Sequence, residues 1–136
     1  MMTLILENLF VGSLQDAERL SRGNPNRIST VITLCEQSVG HRAANVRYIH
    51  LAIEDAAPVP ARQFTVVMEA IAESIRTGSV LVHCAVGFSR SPTLTAAYLH
   101  RTGYQNFAAA IAEIKILRPS VEPSKILLKS VKEILG

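Results

Sequence analysis

Two groups of residues in this 136-residue chain have the types and spacing to do chemistry together. The first is His83-Cys84-Ala85-Val86-Gly87-Phe88-Ser89-Arg90-Ser91-Pro92, in which five residues separate a thiol from a guanidinium. The second is Glu54-Asp55-Ala56-Ala57-Pro58-Val59-Pro60, which carries a carboxyl group on a proline-stiffened loop 84 − 55 = 29 residues before Cys84. A loop that begins on a thiol and runs into a helix aims successive backbone N–H groups, together with the helix N-terminus, at one bound anion. The N–H groups of Ala85, Val86, Gly87, Phe88, Ser89 and Arg90 are the candidates to bind it. The same field favours the thiolate form of Cys84 and sets a nucleophile under a phosphorus atom. Arg90 offers a planar fork that binds two phosphoryl oxygens and follows them into an in-line transition state. Transfer to sulfur gives a cysteinyl-phosphate that water hydrolyses, and no metal or cofactor is required. Ser91 and Ser89 offer hydroxyls near the sulfur, and Ser91 is the choice to assist departure of the thiolate. Asp55 is the choice for the acid that protonates the leaving oxygen, with Glu54 or a plain turn-forming Asp as the alternatives.

The elements that must position these groups follow from the flanking residues. Val80-Leu81-Val82 is continuous and β-rich, as a strand covered on both faces should be. Gly87 permits a tight turn, and Pro92 fits the first turn of a helix, where its missing N–H costs nothing. Earlier in the chain, Leu4-Ile5-Leu6 and Leu9-Phe10-Val11 read as two short strands separated by Glu7-Asn8. Ser13, with Asp16 three residues on, caps a helix running to about Arg22, and Gly23-Asn24-Pro25 stops it. Ile28 to Leu34, ending in Cys35, and Val46 to Leu51 are further strands, joined by a polar connection over Gln37 to Asn45. Pro60 begins a helix whose apolar positions Phe64, Val67, Met68, Ile71 and Ile75 share one face, and Gly78 ends it. Helices follow from Pro92 to about Arg101, from about Asn106 to Leu117, and from Pro123 onwards. The expected fold is α/β: a central, mostly parallel sheet of four to five strands flanked by helices, a helical C-terminal third, and the loop at the carboxyl end of a central strand.

Composition narrows the function classes. Residues 1–136 read as one domain, and 49% hydrophobic content with mean hydropathy +0.25 suits a compact globule. Fourteen Lys and Arg against eleven Asp and Glu give a net charge of +3, mildly favourable for phosphorylated partners and too slight to indicate nucleic acid. There is no basic run with interleaved aromatics, and Trp is absent. No apolar run approaches the ~20 residues of a membrane span, and Met1 to Leu6 lacks the basic start of a secretory signal, so a cytoplasmic location without membrane association is expected. His41, His50 and His100 show no metal-ligand spacing. Lys125, Lys129 and Lys132 read as the wet side of the last helix.

His83 to Ser91 resembles the signature of the protein tyrosine phosphatase superfamily, in the His-Cys, Gly, Ser-Arg-Ser form of the small dual-specificity phosphatases. Residues 10 to 20 are similar to the entry segment of the same enzymes, and the placement of Asp55 resembles that of their acid loop. The resemblance implies that Cys84 is the nucleophile, Arg90 and the loop N–H groups the phosphate site, and Asp55 the acid. His83 is read as fixing the loop through hydrogen bonds to backbone, its ring pointing away from the nucleophile. The chain also looks like the phosphatases of regenerating liver, in which a Cys at the end of the strand corresponding to Thr33-Leu34-Cys35 forms a disulfide with the catalytic one. Cys35 is therefore either a buried strand-end thiol or a redox partner of Cys84. Three departures from these relatives stand out. Ala85 and Phe88 replace basic residues common in phosphoinositide-directed relatives. Ser91 replaces the Ala of the regenerating-liver enzymes. Ser124 follows Pro123 where dual-specificity members often have Asn.

The sequence thus points to a cysteine-dependent, metal-independent phosphatase acting on phosphotyrosine, and also phosphoserine or phosphothreonine, in a phosphorylated protein substrate. Phosphatase action on a phosphoinositide, nucleotide or RNA 5′-phosphate is one alternative, and phosphate recognition without turnover is another. The physiological substrate and the oligomeric state are not legible.

Overall fold

The computed structural model describes residues 1–136. In chain order it contains β1 (Thr3–Leu6), β2 (Leu9–Gly12), α1 (Leu14–Arg19), β3 (Ile28–Thr33), β4 (Arg47–His50), α2 (Ala61–Ile75), β5 (Ser79–His83), α3 (Arg90–Arg101), α4 (Phe107–Leu117) and α5 (Lys125–Leu135). The five strands form one sheet in the order β1-β2-β5-β3-β4. β2, β5, β3 and β4 run parallel, and β1 folds back antiparallel on β2 across the Glu7-Asn8 turn. β5 is therefore the middle strand, and the loop that begins at Cys84 leaves its carboxyl end.

Side-chain alternation along the strands divides the interior into two layers. Leu9, Val11, Ile32, Val80 and Val82 face the larger core with α2, α3, α4 and α5. Phe10, Val31 and Leu81 point the other way, onto Ala17 and Leu20 at α1. Burial on both faces explains why β5 reads as an uninterrupted apolar run. α2 buries Phe64, Val67, Met68 and Ile71, the stripe expected from its spacing. No helix is long and apolar enough to cross a membrane.

Several element ends differ from the sequence reading by one to three residues. The first helix stops at Arg19 instead of about Arg22, because the N–H groups of Leu20, Arg22 and Gly23 bond carbonyls three residues back and tighten the chain into turns. α3 begins at Arg90, two residues before Pro92, which still lies in the first turn where no N–H is needed. The last helix begins at Lys125, after Pro123, with Ser124 as its cap.

Candidate active site

Three parallel strands end at one rim, and their ends hold the loop between Cys84 and Arg90. The Cys84 N–H donates to the carbonyl of Gly12 at the end of β2 (3.4 Å), and the Leu34 N–H beyond β3 donates to the carbonyl of His83 (2.9 Å). The Leu14 N–H at the start of α1 donates to the carbonyl of Ala85 (3.0 Å). Gly87 makes the sharp turn at φ +77°, and a side chain there would meet the Gly12 carbonyl oxygen at 2.8 Å. With the loop carbonyls occupied on the protein side, its N–H groups are left for the concave side.

Cys84 lies at the floor, 2% exposed, and Ser91 sits directly under its sulfur. The Ser91 hydroxyl is 3.2 Å from Cys84 Sγ, and the Ser91 N–H donates to the same atom at 3.4 Å. A thiolate is stabilised by both donors. Ser89 behaves differently from the expectation of a hydroxyl beside the sulfur: its Oγ accepts the Ser124 N–H (2.8 Å) and ties the loop to the start of α5. Ser124 in turn caps α5 by accepting the Leu127 N–H, so this residue bridges loop and helix.

Arg90 is buried behind the loop and held by acceptors from two other elements. Its Nη1 donates to both carboxylate oxygens of Glu36 (3.1 and 3.2 Å) and to the carbonyl of Ile53 (3.1 Å). Its Nε lies 3.9 Å from Asp55 Oδ1. Glu36 is held below its ordinary carboxylate range, first by its own backbone N–H and then by its hydrogen bond from Arg90. Asp55 itself is exposed. Asp55, Ala56, Cys84 to Val86, Phe88 to Arg90, Glu122 and Ser124 line one cavity of about 300 Å³.

Sequence reasoning placed Cys84, Arg90, Asp55 and Ser91 at a common site, and the fold brings all four together. It did not identify Glu36, which stands next to Cys35 at the end of β3 and supplies the main acceptor for Arg90. Nor did it give Arg118 a role beyond ending α4. The Arg118 Nε donates to the Gly87 carbonyl (3.1 Å) while its Nη1 donates to the Met1 carbonyl and to Thr3 Oγ1, so it braces the turn from behind. An Arg beside a Pro where a helix must end is the available signal, since a polar side chain there can turn inward.

His83 is fully buried. Nδ1 is 3.0 Å from the carbonyl oxygen of Cys84 and Nε2 is 2.7 Å from Thr33 Oγ1. A neutral ring with the proton on Nδ1 satisfies both contacts, donating to Cys84 and accepting from Thr33. Burial pushes its pKa below the ordinary value, with the Cys84 hydrogen bond opposing. Cys35 is free and buried at the neighbouring strand end. Burial raises its pKa, Arg90 opposes this, and the nearby Cys84 adds to it. No cluster of His, Cys, Asp and Glu could hold a metal ion.

The chain is similar to known proteins in sequence and in fold. The family model described as "Dual specificity phosphatase, catalytic domain" matches residues 9–134. Dual specificity protein phosphatase 15 of Mus musculus is 27% identical over 134 residues, covering 97% of this chain and 57% of the relative. The chain thus spans a little over half the length of that relative. The crystal structure of DUSP15 superimposes with TM-score 0.86 at 26% identity, over 97% of this chain and 85% of the other. The human tyrosine phosphatase-like serine/threonine/tyrosine-interacting protein superimposes with TM-score 0.82 at 26% identity, over 97% and 93%.

Proposed function

The chain belongs to the family of dual specificity phosphatase catalytic domains, and on that premise we propose that it hydrolyses phosphotyrosine, and also phosphoserine or phosphothreonine, in protein substrates. The phosphoryl group enters the cavity over Cys84, where the N–H groups of Ala85 to Arg90 and the Arg90 guanidinium bind its oxygens. Cys84 Sγ attacks phosphorus in line, the bond to the leaving oxygen breaks, and Asp55 delivers a proton to that oxygen. Asp55 then takes a proton from the attacking water, and the thiolate leaves onto the Ser91 hydroxyl and N–H. Glu36 and His83 position the guanidinium and the loop without touching substrate. We place this activity in the cytoplasm, where reducing conditions keep Cys84 and Cys35 as thiols.

The observation that carries the reading is that a buried thiol, a buried guanidinium and an exposed carboxyl group from three separate segments line one cavity. The test is steady-state hydrolysis of a small aryl phosphate across pH, with EDTA and a reductant present. Wild type should turn over with a bell-shaped profile, Cys84→Ser should be inactive, and Asp55→Ala should lose about 10²–10⁴-fold with its acid dependence altered. Inactive wild type that still binds vanadate would favour recognition of phosphoproteins without turnover. The likeness to the human tyrosine phosphatase-like serine/threonine/tyrosine-interacting protein makes that second reading specific. Preferential turnover of phosphoinositides, nucleotides or RNA 5′-phosphates would move the substrate outside proteins.

A further inference from the structure

The chain carries a net positive charge, yet the opening of its cavity is acidic. Arg90 is the sole cation in the lining, and Glu36 already holds it from one side. Asp55 and Glu122 line the cavity, and Glu36 and Glu54 line the adjoining cleft of about 370 Å³ with Ala52, Ile53, Pro58, Pro60 and Gln63. Of these four carboxylates, Glu36 and Asp55 lie against Arg90, while Glu54 and Glu122 form no ion pair. Glu122 is exposed but not loosely placed: its backbone N–H donates to the carbonyl of Phe88 (2.9 Å), which anchors it to the rim of the phosphate loop. Beside it, the exposed side chains of Val86 and Phe88 give that rim apolar contact surface.

We propose that this rim selects phosphorylated protein segments with Lys or Arg close to the phosphoresidue, and that Glu122 is a specificity-determining residue for them. The inference deepens the phosphatase reading and rests on it for its substrate. The phosphoryl group occupies the loop and satisfies Arg90, so the flanks of the peptide meet the carboxylates that remain. A basic flank brings opposite charge to Glu122 and Glu54 on both the approach and the docked complex, whereas an acidic flank meets like charge. An aromatic phosphoresidue can place its ring against Phe88 and Val86 while its phosphate reaches Cys84. Polyanionic esters such as phosphoinositides and RNA ends bring further phosphates to the same carboxylates, with no second cation in the cavity to receive them.

The experiment compares two phosphotyrosyl peptides that differ only in having Lys or Glu on either side of the phosphotyrosine, in wild type, Glu122→Gln and Glu122→Lys. The expected kcat/KM ratio favours the Lys peptide by about tenfold at low ionic strength and shrinks toward unity at about 0.5 M salt, as screening of exposed charges requires. Glu122→Gln should reduce the ratio about threefold, and Glu122→Lys should invert it. A ratio of one or below in wild type, or a ratio unchanged in Glu122→Gln, overturns the inference. The same peptides titrated onto Cys84→Ser read the rim without turnover, and equal affinities there also overturn it. A chain that binds with the Lys preference yet does not hydrolyse a small aryl phosphate would refute the catalytic reading and leave the rim assignment standing.

Discussion

Replacing Gly87 by Ala tests whether the turn in the loop is held as tightly as its contacts indicate. At φ +77° the backbone lies in the left-handed region, where a Cβ costs roughly 1–2 kcal/mol. The added atom would also stand 2.8 Å from the Gly12 carbonyl oxygen, 2.9 Å from its carbon and 2.6 Å from an Arg118 terminal nitrogen. Neither neighbour is free to yield. Gly12 already accepts the Cys84 N–H, and Arg118 is tied to Met1, Thr3 and Gly87 itself. The loop must move by roughly half an ångström, for which a further ~1–2 kcal/mol is reasonable, giving a total near 3 kcal/mol. That lowers the melting temperature by about 10 °C in a chain of this size. Since the displaced atoms include the N–H groups proposed to bind phosphate, kcat/KM for an aryl phosphate should fall about 10²-fold.

Thermal unfolding and steady-state kinetics on the same preparation measure both effects. Gly23→Ala is the control, because a Cβ there meets nothing within 4 Å and the backbone is not left-handed. If Gly87→Ala melts within 2 °C of wild type and keeps full activity, the bracing of the loop by Gly12 and Arg118 has been misjudged.

Glu36→Gln leaves Arg90 with the Ile53 carbonyl and a neutral amide, so kcat/KM should fall about tenfold with folding intact; parity with wild type would show that Glu36 does not hold the guanidinium. His83 is neutral in the fold because its pKa lies below the ordinary 6.5, whereas the unfolded chain takes up a proton near that value. Its contribution to stability is therefore present above pH 6.5 and lost as pH falls from there toward the lowered native value. The difference in urea midpoint between wild type and His83→Gln should accordingly shrink between pH 7.5 and 5, and parallel profiles would remove His83 as the cause. Peroxide should oxidise Cys84 to the sulfenic acid, from which the Cys35 thiol displaces water to form a disulfide. Mass spectrometry should then find an intramolecular link 2 Da below the reduced chain, with activity regained on reduction; no link, and equal recovery by Cys35→Ser, would refute the redox role.

What could be read from the sequence is what chain proximity encodes. The loop from Cys84 to Pro92 is contiguous, so thiol, turn, guanidinium and helix start are visible in ten residues, and the α2 stripe from Phe64 to Ile71 shows at helical spacing. The partners of that loop are not contiguous with it. Glu36 reaches Arg90 across 54 residues and Arg118 reaches Gly87 across 31, distances closed only by the order of strands and by the return of α4 over β1. Ser89 shows the same limit on a smaller scale. Its position two residues from Ser91 suggests a hydroxyl near sulfur, but the backbone at Ser89, at φ −128° and ψ −67°, turns its Oγ toward Ser124. The overrun of α1 has a local cause instead, since Leu20 to Arg22 keep helical composition while the N–H groups of Leu20, Arg22 and Gly23 bond in the tighter register.

The division between near and distant contacts also separates two kinds of change that this fold can absorb. Cys84, Gly12 and Leu34 sit at the ends of adjacent parallel strands, and each makes a backbone bond that fixes the floor of the cavity. A substitution there disturbs the sheet and the proposed chemistry together. Asp55 and Glu122 come from connections, one after β4 and the other between α4 and α5, and neither residue bonds a strand itself. Asp55 is constrained by its distance to Arg90 and by the proton it is proposed to deliver, whereas Glu122 is hydrogen-bonded to the loop through its backbone N–H. Its side chain can therefore change charge while that hydrogen bond and the position of Phe88 persist. Substrate preference should accordingly be tunable at residue 122 over a range that residues 55 and 84 do not tolerate. A Glu122→Lys variant that retains the wild-type melting temperature while reversing its choice between basic and acidic peptides would show the two layers to be separable.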